Sequence, residues 1–224
     1  MRIYLIRHGE SIMNTRENDE IGAIDSKVWL TENGRDQAYK SAMFLKKYIQ
    51  ENEDYGILDP YKMRVWISPY QRTRETFEIF NDIVGFKANG LTCFEDFLLA
   101  EQEFGLFDNT PMDKWEETYP TEYKYYKKLK NTGGKFYARC PMGESPKDVA
   151  IRCRIFSDTI WRDYNKSGIS TLFLFVHGTV LRCFTMAWNH FSPEWYNAEK
   201  NPGNCWIRLI DDHKDMGYIY SGDR

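Results

Sequence analysis

Two stretches of the chain are uninterrupted apolar runs of strand length, RIYLIR at 2–7 and TLFLFV at 171–176. A strand with one wet face alternates apolar and polar residues, whereas one covered on both faces does not. These runs therefore predict central strands of a parallel sheet. RVWI at 64–67 predicts another strand, 91–97 a weaker one, and 205–210 with 217–220 a closing pair read as a hairpin. Between them the apolar period changes to that of a helix. Ala38, Ala42, Leu45 and Ile49 follow LTEN at 30–33, and Thr76, Phe80 and Ile83 follow Ser68-Pro69. Val149, Cys153, Phe156 and Ile160 follow Ser145-Pro146, and Val180, Phe184 and Ala187 follow His177-Gly178. Each Ser-Pro pair reads as a cap with a proline in the first turn.

Strands alternating with helices predict an α/β three-layer sandwich, its mostly parallel sheet covered by helices on both faces. The stretch from 104 to 137 breaks the pattern. It carries Trp115, Tyr119, Tyr123, Tyr125, Tyr126, Phe136 and Tyr137 among lysines, with no strand signal. We read about 104–140 as a helical insertion over one end of the sheet, suited to act as a lid over an active site. No repeat or linker divides the sequence, so a single domain over 1–224 is expected.

Composition narrows the function. A net charge of −3 gives no reason to expect nucleic acid, yet it leaves room for a local arginine cluster that binds an anion. The N-terminal apolar run is too short for a signal peptide or a membrane span. Five cysteines without a CxxC pair argue against a disulfide framework or a zinc site. Reduced thiols and a cytoplasmic location are the expectation, with no membrane or nucleic-acid partner.

In open α/β sheets, ligands sit beyond the carboxyl ends of the strands. Here those ends deliver Arg7-His8-Gly9-Glu10-Ser11, then Ser68 with Arg72 just inside the next helix, then His177-Gly178. The chain has four histidines, and two of them close a strand and precede a glycine. Glycine there allows close backbone approach to a ligand, and a helix start aims free N–H groups at an anion. Two guanidinium groups and two imidazoles meeting in one hollow would suit a phosphate dianion. A neutral imidazole can attack phosphorus, and neighbouring guanidinium groups disfavour its protonation. The alternative for each residue taken alone is structural: a surface ion pair for either arginine, a satisfied buried ring for either histidine.

The motif RHGES at 7–11, with Asn14 three residues on, resembles the signature of the histidine phosphatase superfamily, in the branch of the cofactor-dependent phosphoglycerate mutases. LTENG at 30–34, SPYQR at 68–72, LAEQEFG at 99–105, PMGES at 141–145 and VHG at 176–178 occur in that family's order. The resemblance implies that His8 is phosphorylated, that Arg7, Arg72 and His177 bind the phosphoryl oxygens, and that Asn14 and the Gly178 backbone assist. It implies Glu101 as the acid, with Glu103 its rival, and neither metal nor cofactor. Mutases of this branch add a paired arginine in the insertion, where this chain reads EYKYYKKLKN at 122–131. Arg139 is the candidate for an extra anion contact, and phosphatase activity on a small phosphate monoester is favoured. A mutase and an inactive domain that binds a phosphorylated ligand remain open. His190, His213, Trp188, Trp195 and Trp206 read as packing or surface, the acidic run at 17–20 as a solvated loop, and the lysines of 124–130 as a wet helix face.

Overall fold

The computed structural model describes residues 1–15, 25–52, 58–108 and 110–222, so the acidic run at 17–20 lies outside the described residues. In chain order the elements are β1 (Arg2–Arg7), α1 (Glu32–Asn52), β2 (Met63–Ile67), α2 (Gln71–Val84) and β3 (Thr92–Glu95). Then come α3 (Trp115–Thr118), α4 (Pro120–Gly133), α5 (Pro146–Ser167), β4 (Thr171–Val176) and α6 (Gly178–Trp188). The chain closes with α7 (Pro193–Ala198), β5 (Ile207–Asp211) and β6 (Lys214–Tyr220).

The strands form one sheet in the order β3-β2-β4-β1-β5-β6. The first four are mutually parallel, β5 is antiparallel to β1, and β6 returns antiparallel to β5 as the outer strand of the hairpin. Alternate residues of the continuous apolar runs go to opposite sides. Ile3, Leu5, Leu172, Leu174 and Val176 join a core with Val149, Cys153, Phe156, Val180 and Phe184 of α5 and α6. Tyr4, Ile6, Phe173 and Phe175 join a second core with Ala38, Ala42, Leu45, Phe77 and Phe80 of α1 and α2. Two covered faces are why β1 and β4 need no polar positions. The expected α/β three-layer sandwich is the observed fold. The weak strand signal at 91–97 corresponds to β3, which lies at the sheet edge and buries none of its side chains fully.

One cap is assigned differently. Ser145 makes a full capping box with Asp148 at the start of α5, as its sequence suggests. Ser68 does not cap α2, whose N-cap is Tyr70 without a side-chain bond. The Ser68 hydroxyl is spent on His177 instead.

Between β3 and α5 the chain forms short helical turns with α3 and α4 and no strand. Phe107, Trp115 and Cys140 make a small core of their own, flanked by Phe104, Tyr119, Tyr123 and Tyr126. The aromatic richness of this segment is mostly this local packing, with Phe107 stacked on Trp115 at 4.3 Å. Trp188 stacks on Trp161, and the ring of exposed His213 lies against both. All five cysteines are free thiols. Among the described residues no helix is long and apolar enough to cross a membrane.

Candidate active site

Since β4 lies between β2 and β1, the C-terminal ends of these three strands are adjacent. His8 N still donates to Val176 O at 3.0 Å, and Ser68 N to Phe175 O at 2.9 Å. The ladder therefore fixes the backbone one residue past each strand, where the chemistry begins. His8 and His177 meet there, their ring centres 5.1 Å apart. Both are buried, His8 at 3% exposure and His177 at 0%.

The glycine after each histidine serves packing between parts of the chain. A Cβ on Gly9 would stand 2.4 Å from Gly34 O, and one on Gly34 would stand 2.0 Å from Glu10 O. Gly178 likewise has Asn201 Oδ1 2.5 Å from where its Cβ would be. The expected close approach is real, but at these two histidines it is to protein groups.

His8 Nδ1 stands 2.7 Å from Gly9 O. A carbonyl can only accept, so Nδ1 carries the proton and Nε2 keeps its lone pair. Burial, then Arg72 and Arg7, hold the His8 pKa well below the usual histidine value. His177 is lowered in the same direction by burial, then by Arg72, His8 and Arg7. Its Nε2 lies 2.7 Å from Ser68 Oγ. Its Nδ1 is buried with no hydrogen-bond partner among the described residues, as is Arg7 Nε. An unpaired buried polar atom costs about 1–3 kcal/mol, so these two stand ready for a partner that the protein does not supply.

Arg7 donates through Nη1 to Pro202 O. Burial is the main cause lowering its pKa, with Glu101 opposing and Arg72 and Arg182 adding to the effect. Arg72 is 4% exposed and gives both Nη atoms to Asp25. Its guanidinium also lies over the Tyr70 ring, 4.9 Å from the centroid, and that ring is 5.0 Å from His177. Glu101 accepts from Gln102 N at 2.9 Å through Oε1, while Oε2 faces Thr179 N at 3.5 Å. That amide belongs to the first turn of α6, whose N-cap His177 makes no side-chain cap, so in this structure the Glu101 carboxylate is the anion at the helix start.

Arg7, His8, Asn14, Arg72, Glu101 and Thr179 line one cavity of about 650 Å³. That volume suits a whole small-molecule ester, far more than a phosphoryl group alone. The insertion contributes Phe104, Phe107, Trp115 and Tyr126 to the same cavity, together with Lys130 and Lys135. Asn14 Oδ1 accepts from Ser11 N and from Asn204 Nδ2, and Asn204 in turn reaches His8 O at 3.3 Å. Among the described residues no group of three or more His, Cys, Asp or Glu side chains is placed to hold a metal ion.

Arg139 is placed elsewhere. Its Nη1 bonds Gly143 O at 2.9 Å, its Nη2 bonds Asp148 Oδ1 at 2.5 Å, and it does not line the cavity. Besides Arg7 and Arg72, the cations that line it are Arg182, one helical turn after His177-Gly178, and Lys130 and Lys135. Lys124, Lys127, Lys128 and Lys130 are all exposed, as the wet-face expectation has it, and Lys130 in addition borders the cavity. Asp25, Ser68 as the partner of His177, and Arg182 are site residues that sequence reasoning missed. For Arg182 a signal existed, since i+4 from Gly178 on a helix returns to the same face.

A family model described as histidine phosphatase superfamily, branch 1, matches residues 3–219. Two phosphoglycerate mutase-like proteins of Arabidopsis thaliana are 31% and 29% identical over 218 residues, 94% of this chain. The chain spans 64% of the length of the first and 73% of the second. Among solved structures, a mycobacterial glucosyl-3-phosphoglycerate phosphatase shares the fold with a TM-score of 0.68 at 21% identity. That match covers 93% of this chain and 88% of the other.

Proposed function

The chain belongs to the histidine phosphatase superfamily, and from that premise we propose that it is a phosphomonoester hydrolase acting through a phosphohistidine on His8. The observation that carries this reading is the state of His8. Its Nδ1 is committed to Gly9 O, so a bare Nε2 sits in a pocket where burial, then Arg72 and Arg7, disfavour protonation of the ring.

In the first step His8 Nε2 attacks phosphorus, a P–N bond forms, and the ester P–O bond breaks. Glu101, as the carboxylic acid, gives its proton to the leaving oxygen. In the second step the Glu101 carboxylate takes a proton from water, whose oxygen attacks phosphorus as the P–N bond breaks. Inorganic phosphate leaves, the Nε2 lone pair is restored, and Glu101 is again protonated. Arg7, Arg72 and the first-turn amides of α6 stabilise the charge on the transferred oxygens. Ser68 donating to His177 Nε2 puts the ring proton on Nδ1, the atom without a protein partner, which then serves the same oxygens.

A mutase reading is favoured by one observation: Lys130, Lys135 and Arg182 line the cavity beyond His8, where a second anionic end would lie. The Arabidopsis relatives are named phosphoglycerate mutase-like, whereas the mycobacterial neighbour is named a phosphatase. An assay of phosphate release from sugar phosphates, nucleotides, phosphoglycerates and phosphopeptides tests hydrolysis, with phosphohistidine trapped by acid-free quench. His8→Ala is expected to lose both the release and the trapped label, and a fully active His8→Ala protein defeats the assignment. Isomerisation of 2- and 3-phosphoglycerate with a bisphosphate primer, faster than phosphate release, would establish the mutase.

A further inference from the structure

Arg72 has five N–H donors in a rigid plane, and its contacts divide them unequally. Nη1 donates to Asp25 O and Asp25 Oδ1, each at 2.8 Å, which uses both of its protons. Nη2 donates to Asp25 Oδ2 at 3.2 Å, which uses one of its two. What remains is Nε–H and the second Nη2–H, two parallel donors on the adjacent edge of the guanidinium. That edge is a complete fork for two oxygens of one phosphoryl group.

We propose that Asp25 is a positioning residue, which grips the end of the Arg72 fork so that the free side edge is presented to the transferred phosphoryl group. Tyr70 sets the plane of the guanidinium by lying under it, and Asp25 sets its rotation within that plane. The same carboxylate supplies the counter-charge that a guanidinium with 4% exposure needs in the ligand-free protein. Asp25 itself is held by the turn it opens: it is the first residue of a 3₁₀ helix, and Val28 N donates back to its carbonyl at 3.3 Å. It lines the same cavity as His8. The inference rests on the phosphatase reading for what the free edge binds, but its own test is binding.

Inorganic phosphate titrated calorimetrically into the wild type, Asp25→Ala, Arg72→Ala and the double variant tests it, with p-nitrophenyl phosphate turnover measured in parallel. Asp25→Ala is expected to weaken phosphate about tenfold or more, since a misaimed fork loses a bidentate contact. The double variant is expected to bind no worse than Arg72→Ala alone, because Asp25 acts through that arginine. Asp25→Asn, which keeps the shape and one acceptor, is expected to fall between wild type and Asp25→Ala, guarding against a merely unfolded alanine variant. Tighter phosphate binding by Asp25→Ala would make Asp25 a competitor for Arg72 and overturn the proposal. Losses that add in the double variant would overturn it too. A wild type that binds phosphate but hydrolyses nothing would count against the phosphatase reading alone.

Discussion

The hydroxyl of Ser68 and Nε2 of His177 stand 2.7 Å apart, both residues fully buried and each at the C-terminal end of its own strand. Because β2 and β4 are neighbours in register, Ser68 is delivered to His177 by the sheet itself.

Ser68→Ala removes that partner and leaves a buried ring nitrogen unpaired. The expected cost is about 1–3 kcal/mol of stability, read as a lower denaturation midpoint. The proton that favoured Nδ1 is no longer placed by a donor at Nε2, so turnover should fall about tenfold, equivalent to roughly 1.4 kcal/mol of barrier. Unchanged turnover in a destabilised variant would show that the pair is structural only.

Acid should destabilise the protein through both site histidines. Their folded pKa values lie below the unfolded value, so beneath about pH 6.5 the unfolded chain takes up protons that the folded chain does not. Their contribution is intact above about pH 6.5 and is lost as pH falls toward the folded values. The slope approaches about 1.4 kcal/mol per pH unit for each ring. Urea unfolding at pH 7, 6 and 5 measures it, and His8→Gln should shed one ring's share of the slope.

Gly34→Ala tests the seam between two motifs. Its Cβ would meet Glu10 O, a backbone atom tied to Thr31 N and unable to step aside. We expect destabilisation of about 1–3 kcal/mol or failure to fold, with any surviving activity reduced because His8 lies two residues from the clash. A variant of parental stability would mean the loop at 9–10 is softer than its contacts imply.

Arg139→Ala should leave KM and kcat unchanged, with at most about 1 kcal/mol lost, since its pair with Asp148 is largely exposed. Lys130→Ala with Lys135→Ala should raise KM for an ester whose leaving group bears a second acid, and leave p-nitrophenyl phosphate unaffected. Steady-state kinetics on the two substrate types separates these outcomes, and a KM effect from Arg139→Ala would contradict its position.

The candidate site was legible where chemistry and local pattern coincide. His8 and His177 follow apolar runs that can only be buried strands, and residues at such ends are carried to one rim of a parallel sheet. Arg139 was misjudged because its guanidinium is satisfied within its own segment, by Gly143 O and the capping-box carboxylate of Asp148. Asp25 carried no signal, as a lone acid beside a short turn looks like any solvated loop residue.

Apolar periodicity on its own specified the layers, the central strands and which histidines would sit at their ends, because burial on one face or two leaves its mark residue by residue. Only the tertiary structure decided which side chains share a hydrogen bond across the site. Ser68 meets His177 across 109 residues and Asp25 meets Arg72 across 47, and no local rule connects such pairs. Hydrogen bonds depend on direction and on distances of a few tenths of an ångström, and those are set by how the layers pack, after the pattern of burial has been satisfied.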